Sequence, residues 1–249
     1  MERVFFALAW YWKVHCKLIQ LKGMKLIKTH KELADYIAGR KILHLNSLGK
    51  DSIVCLEWLT SFAHPSEIVS MYCEFIVRHP KDGAYKKYLK KKYPSVNFVE
   101  SANPFEVSAI CMGVYQSPVE IIKHFNHLDF NSFDMKKLIE DARVEYGCDF
   151  ICIGKSRYES FDRANFFHKN GLLKDKHIYP IGMMSKKQVM SLINFKLHPV
   201  YKYSKSTLDT VSYYKMRAAF LAHPEYYEEM IKFYPLLKLD KYRWERLMK

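Results

Sequence analysis

The chain has 249 residues, 49% of them hydrophobic and 15% aromatic, and its 40 Lys and Arg against 26 Asp and Glu give a formal net charge of +14. Such a composition excludes a disordered or linker-rich protein and leaves room for one well-buried α/β domain with a C-terminal appendage. No run of about eighteen apolar residues is present to span a bilayer, and the basic excess is more than a small nucleotide needs, which predicts a polyanionic partner, RNA or single-stranded DNA.

In chain order, Phe5 to Trp12 is apolar but has only Arg3 as a basic leader and no small-residue cleavage site after it, so a secretory leader is not expected. The segment reads either as an amphipathic helix or as sequence upstream of a start at Met24. Thr29 and Glu32 form a capping-box pattern that opens a helix running through Ile37 and stopped by Gly39. Ile42, Leu43 and Leu45 predict a buried strand, and Ile53, Leu56 and Leu59 recur at helical spacing over residues 50–63. A second strand over Glu67–Phe75, a helix over Ala84–Lys92 and a third strand over Asn97–Glu100 follow. Pro104 to His127 reads as helical pieces broken at Gly113 and Pro118. Asp134–Tyr146 is an amphipathic helix that returns to a strand over Phe150–Ile153. Next come a strand near His177, a helix with a Ser185/Gln188 capping box, and helices from His223 onward. Strands separated by helices predict a Rossmann-like open parallel sheet with helices on both faces and a helical C-terminal region. The expected division is 1–40 (extension and helix), 41–182 (α/β core) and 183–249 (helical region).

Two segments carry chemistry. Ser47-Leu-Gly-Lys-Asp-Ser52 lies where the first strand becomes a helix. There, helical N–H groups without intrahelical partners and the positive end of the macrodipole favour an oxyanion. Gly49 admits close backbone approach, Lys50 adds a mobile charge, Ser47 and Ser52 add hydroxyls, and Asp51 can orient the loop. The second segment is Gly154-Lys-Ser-Arg-Tyr-Glu-Ser-Phe-Asp-Arg163, again after a strand, with guanidinium forks suited to phosphate or sulfate oxygens. Both fall at strand carboxyl ends, where open α/β sheets bind ligands.

The first segment resembles the PP-loop of the adenine nucleotide alpha hydrolases, typically Ser-Gly-Gly-x-Asp-Ser, and within them the phosphoadenosine phosphosulfate (PAPS) reductase family, particularly its phage-encoded members. Leu48 stands where many members have the first Gly, which implies a tighter loop. The second segment resembles the family's Gly-x-Arg-x-x-Asp/Glu-Ser-x-x-Arg, with the first Arg one position late, as Arg157. The likeness runs from about Lys41 to about Trp244 and weakens after the second motif, where Met184 replaces a common Trp. It implies that Ser47, Leu48, Gly49, Lys50, Asp51, Ser52, Gly154, Glu159 and Ser160 bind the nucleotide, ATP or a relative, with Mg²⁺. It also implies that Lys50, Asp51, Arg157 and Arg163 act in catalysis, and that the setting is the cytoplasm of a phage-infected bacterium. Sulfonucleotide reduction needs a C-terminal thiolate, and no Cys follows Cys152. Two readings stay open: cleavage of ATP between its α and β phosphates with AMP transfer to an anionic or nucleic-acid acceptor, or an inactive fold serving as a basic nucleic-acid-binding or polymerase-accessory module.

The six Cys include no pair at Cys-x-x-Cys spacing, so neither an iron-sulfur cluster nor zinc nor any other protein-ligated metal is expected. Lys81 to Tyr93 interleaves lysines with Tyr85, Tyr88 and Tyr93. These rings either stack on bases or turn inward beneath a solvated helix face, and the inward arrangement is favoured. Tyr201 to Arg217 repeats the mixture. His44 and His198 are expected to be structural.

Overall fold

The computed structural model describes residues 26–75, 77–104, 134–202 and 213–247. The expectations for Phe5–Trp12, for the pieces between Pro104 and His127, and for most of the basic stretch after Tyr201 lie outside the described residues.

The opening capping box forms as anticipated: Thr29 Oγ1 accepts from the Glu32 N–H at 3.2 Å, and Glu32 Oε2 accepts from the Thr29 N–H at 3.2 Å. It starts α1 (His30–Ile37), which buries Leu33 and Ile37. Next come β1 (Lys41–Asn46), α2 (Lys50–Trp58), β2 (Glu67–Glu74), α3 (Asp82–Lys92), β3 (Val96–Ala102), α4 (Met135–Glu145) and β4 (Phe150–Cys152). They are followed by α5 (Phe161–Asn170), β5 (Leu173–Lys174), β6 (His177–Ile178), α6 (Lys186–Ser191), α7 (Tyr213–Ala222), α8 (Pro224–Phe233) and α9 (Leu236–Leu247). The helix expected over 50–63 keeps α-geometry only to Trp58, and Leu59–Ala63 forms a wider π-type turn ending at His64, whose φ is 46°.

The six strands form one sheet in the order β3-β2-β1-β4-β6-β5. All neighbours are parallel except the β5–β6 hairpin, which the sequence did not disclose because each strand is two residues long and Asp175 turns the chain with φ 54°. Alternation along the strands sorts side chains to two faces. Ile42, Ile68, Tyr72, Val96 and Cys152 pack with Leu33, Ile37, Ile53, Leu56 and Leu89 from α1, α2 and α3. Leu43, Val69, Met71 and Ile151 pack with Ala142 of α4 on the opposite face. Each of these aliphatic side chains contributes about 1.5–3 kcal/mol by leaving water, so the register is strongly specified: a one-residue slip would exchange the two faces. A third apolar cluster joins Tyr213, Met216, Phe220, Tyr226, Met230 and Leu237 of α7, α8 and α9 to Val77 and Ala102. The fold is therefore the expected mixed α/β arrangement, a six-stranded, mostly parallel sheet flanked by helices. Among the described residues no helix is long and apolar enough to cross a membrane.

Candidate functional site

Successive connections carry the chain from β1 out to β3 in one direction, whereas β4 pairs on the other side of β1. In open α/β sheets such a reversal is where ligands bind, at the strands' carboxyl ends. Both recognised segments emerge there, with His44 of β1 opposite Cys152 of β4.

The turn after β1 is held by its own polar side chains. Asn46 Oδ1 accepts from the Leu48 N–H at 2.8 Å, and Ser47 Oγ accepts from the Gly49 N–H at 3.3 Å. The Ser52 hydroxyl donates to the Gly49 carbonyl at 2.9 Å and accepts from the Ser47 N–H at 3.3 Å. Leu48 has φ 56° and is 4% exposed, so a residue with a Cβ occupies a left-handed conformation that favours glycine. Its side chain is retained by the core against that backbone cost. The Lys50 N–H, one of the first amides of α2, donates to the hydroxyl of Tyr201 at 2.9 Å. Lys50 Nζ lies 3.1 Å from Asp51 Oδ1, so the two expected catalytic charges pair with each other.

Beneath the turn, His44 is fully buried; its Nε2 donates to the Ser52 carbonyl at 2.8 Å and its Nδ1 faces Ser70 Oγ at 3.0 Å. Burial lowers its pKa to about 4, so it is a neutral anchor for the first turn of α2. Cys152 and Cys55 are buried together, and burial pushes the Cys152 thiol well above its ordinary range, which removes it as a nucleophile.

The second segment meets the first directly. A Cβ on Gly154 would lie 3.0 Å from the carbonyl carbon of Asp51 and 3.0 Å from the Ser52 nitrogen, so the absence of a side chain lets β4 abut the helix N-terminus. Beyond Gly154, Ser156 is buried and caps the short turn Arg157–Glu159, and the Arg157 N–H donates to the Gly182 carbonyl at 3.1 Å. Arg157, Tyr158, Ala164, His168 and Met183 line an open cleft of about 280 Å³. Ser160 caps α5 by accepting from the Arg163 N–H at 3.2 Å, and Glu159 pairs with Arg163 one helical turn on, each about 40% exposed. The structure thus joins Ser47–Ser52 to Gly154, whereas Glu159, Ser160 and Arg163 are engaged with one another at the start of α5.

Tyr201 and Asn46 were not among the expected site residues. An Asn that ends a strand before a turn is a readable turn former, but nothing in the sequence pairs Tyr201 with a loop so far upstream. The tyrosines of α3 turn inward: Tyr85 donates to the Lys196 carbonyl at 2.9 Å, Tyr93 to Glu57 Oε2 at 2.6 Å, and the Tyr88 hydroxyl accepts from the Lys196 N–H at 2.9 Å. They are therefore withdrawn from base stacking. The lysines of that helix divide. Lys86 lies 2.5 Å from Glu74 Oε1 and 3.4 Å from Glu100 Oε1, with Arg78 also on Glu74, whereas Lys87, Lys90 and Lys91 are exposed. Burial raises the pKa of Glu74, whereas the hydrogen bond from Glu74 lowers that of Glu100.

No protein-family model matches the chain, and no curated protein matches it. Among solved structures it is similar to the U34-tRNA thiolase NcsA from Methanococcus maripaludis with its [4Fe-4S] cluster, at 13% identity and a TM-score of 0.42, over 87% of this chain and 78% of that one. That structure carries an iron-sulfur cluster, contrary to the expectation that none is present. The exclusion rested on cysteine spacing alone. The described residues also hold a buried group within ligating reach, His79, Asp82 and His198, of which His198 is too distant in sequence to be joined to the other two by spacing. As placed, the Nδ1 atoms of His79 and His198 each accept a backbone N–H at 3.2 Å, from Lys81 and Val200. This leaves the proton on Nε2, the reverse of the usual metal-ligating pattern, so in this arrangement the group clamps α3 to the segment that carries Tyr201.

Proposed function

We propose that this chain binds the phosphates of an adenine nucleotide at Ser47–Ser52, in the manner of a PP-loop protein related to the PAPS reductase-like phage proteins, and transfers AMP from ATP to an anionic acceptor, RNA or single-stranded DNA. The observation that carries the reading is the contact of Gly154 with the Asp51–Ser52 peptide, which places two independently recognised motifs together at the sheet's reversal point. In the proposed step an acceptor oxygen attacks the α-phosphorus, the bond to the bridging oxygen breaks, pyrophosphate departs and the acceptor's proton passes to solvent. Backbone N–H groups of the turn and the Lys50 ammonium offset charge on the departing pyrophosphate, and Arg157 faces the α-phosphate from the β4 side. The paired Lys50 and Asp51 separate when phosphate competes for the ammonium.

A second reading, a fold that keeps the crevice and has lost the chemistry, is favoured by one arrangement: the Tyr201 hydroxyl occupies the Lys50 N–H and Leu48 fills the position of a loop glycine. Calorimetry with ATP and pyrophosphate, paired with an assay of pyrophosphate release in the presence of RNA, separates the two. The enzyme reading expects binding that weakens about tenfold or more in Lys50→Ala, the scale of a lost charge-assisted hydrogen bond, and release that disappears in the same variant. In Tyr201→Phe, removal of the competing hydroxyl leaves binding equal or tighter. Absence of heat with both ligands sinks the nucleotide reading, and binding without release leaves the module.

A further inference from the structure

The inward turn of the α3 tyrosines leaves open which surface meets a polyanion, and the exposed rings lie elsewhere. Phe161 is 80% exposed at the first position of α5, and Tyr158 is 55% exposed in the turn just before it. Among the described residues Phe161 is the most exposed aromatic ring. The two flank the segment that leaves β4 beside the nucleotide turn, and Tyr158 borders the cleft of about 280 Å³.

The charges around these rings are mostly basic. The Arg157 guanidinium carbon sits 4.8 Å from the centre of the Tyr158 ring, and its Nη2 donates to the Tyr158 hydroxyl at 2.6 Å. Lys155 and Lys169 are exposed on the same segment and helix, and Lys174 places its Nζ 5.4 Å from the Phe166 ring. Of the two nearby carboxylates, Glu159 pairs with Arg163 and Asp162 is exposed beside Phe161.

The support behind the rings is rigid. Arg157 is tied by its backbone to Gly182, and a Cβ on Gly182 would fall 2.4 Å from Cε1 of the buried Phe167 ring, so the 182 loop and α5 are closely packed. Phe167 in turn meets Phe166 and Tyr179 edge-on at 5.2 and 5.5 Å. A fixed pair of open rings bordered by cations is the arrangement that holds unpaired nucleotides, with bases on the rings and phosphates on the lysines and arginine.

We propose that Tyr158 and Phe161, with Lys155, Arg157 and Lys169, form a docking surface for an unpaired segment of RNA, which enters the adjoining cleft beside the nucleotide turn. RNA is assigned over DNA because splayed, unstacked bases are the ordinary state of RNA loops. This deepens the function proposed above by naming the acceptor class. It rests on that reading only for what happens after docking, since the docking is measurable without ATP.

The test is fluorescence anisotropy of a short unstructured RNA, with DNA of the same sequence and polyglutamate as competitors, on the full chain and its variants. Phe161→Ala and Tyr158→Ala are each expected to weaken RNA binding about tenfold, and Phe161→Trp and Tyr158→Phe to restore it, because stacking needs a ring and not a particular residue. DNA and polyglutamate compete less well than RNA. Wild-type affinity in both alanine variants, aromatic replacements as weak as alanine, or polyglutamate competing as well as RNA would overturn the surface, and DNA competing equally would overturn the assignment to RNA. Both rings are exposed, so unfolding midpoints equal to wild type are expected and show that any loss is local. ATP calorimetry on Phe161→Ala keeps the two proposals distinguishable: lost RNA binding with intact ATP binding belongs to this surface, whereas ATP binding lost in Lys50→Ala with RNA binding intact belongs to the nucleotide turn.

Discussion

Replacing Gly154 by alanine adds one methyl group at the point where the two motifs touch. Its Cβ would meet Asp51 C and Ser52 N at 3.0 Å and Asp51 O at 3.1 Å, all backbone atoms that cannot rotate aside. Gly154 does not use a left-handed backbone, so alanine itself fits the local conformation and the penalty is purely steric. Relief requires β4 and the start of α2 to part by a few tenths of an ångström. Overpacking of this kind costs about 1–3 kcal/mol, offset by about 0.4–1 kcal/mol from a stiffer unfolded chain, for a net loss of up to about 2.6 kcal/mol, centred on about 1.3 kcal/mol. Gly83, in the first turn of α3, supplies the contrast because a Cβ there meets nothing within 4 Å. Gly83→Ala is expected to gain about 0.4–1 kcal/mol. Urea unfolding of the two variants side by side measures the difference, and calorimetry with pyrophosphate reads the accompanying tilt of the turn's amides as weaker binding. If Gly154→Ala matches wild type in both midpoint and pyrophosphate affinity, the motifs do not abut and the site as assembled here is wrong.

Two further outcomes follow from the same region. Burial lowers the pKa of His44 and of His79 to about 4 against an ordinary 6.5, so between those values the unfolded chain binds the extra protons. The stability from keeping them neutral is full above about pH 6.5 and is lost as pH falls toward 4, about 2 kcal/mol per histidine between pH 7 and 5. Denaturant midpoints measured across that interval in wild type and His44→Gln, which flattens the slope, check the sign; a midpoint that does not fall on acidification contradicts it. At Leu48, alanine and glycine both remove a buried side chain at a cost of about 2–5 kcal/mol, but only glycine relieves the positive φ, worth about 1–2 kcal/mol. Leu48→Gly is therefore expected to unfold at higher denaturant than Leu48→Ala, the reverse of the usual order, and the ordinary order would show that the loop does not adopt this conformation in solution.

Most of the sheet was legible because its signals are local. The apolar run Ile42 to Leu45, the largely apolar stretch Glu67 to Glu74 and the capping residues Thr29, Asp134 and Ser185 each specify an element without help from distant residues, and all appear within a residue or two of where they were expected. The β5–β6 hairpin was not legible, since two-residue strands have no period to detect. At the site, the turn and Gly154 could be read as motifs, but their contact depends on β4 pairing with β1, a long-range choice. The role of Tyr201 and the meeting of His79 with His198 escaped for the same reason: each depends on a partner far away in the chain. The tyrosines of α3 take the inward arrangement that was favoured for them, and their hydroxyls are satisfied by neighbours such as Glu57 and Lys196.

That helix keeps two populations of ammonium groups that answer to different solution conditions. Lys86, only 11% exposed in its side chain and wedged between Glu74 and Glu100 over the Tyr72 ring, is shielded from mobile ions, whereas Lys87, Lys90 and Lys91 face bulk electrolyte. Raising ionic strength screens the outer row while the inner lattice stays intact, so the two rows of one helix differ in their sensitivity to electrolyte.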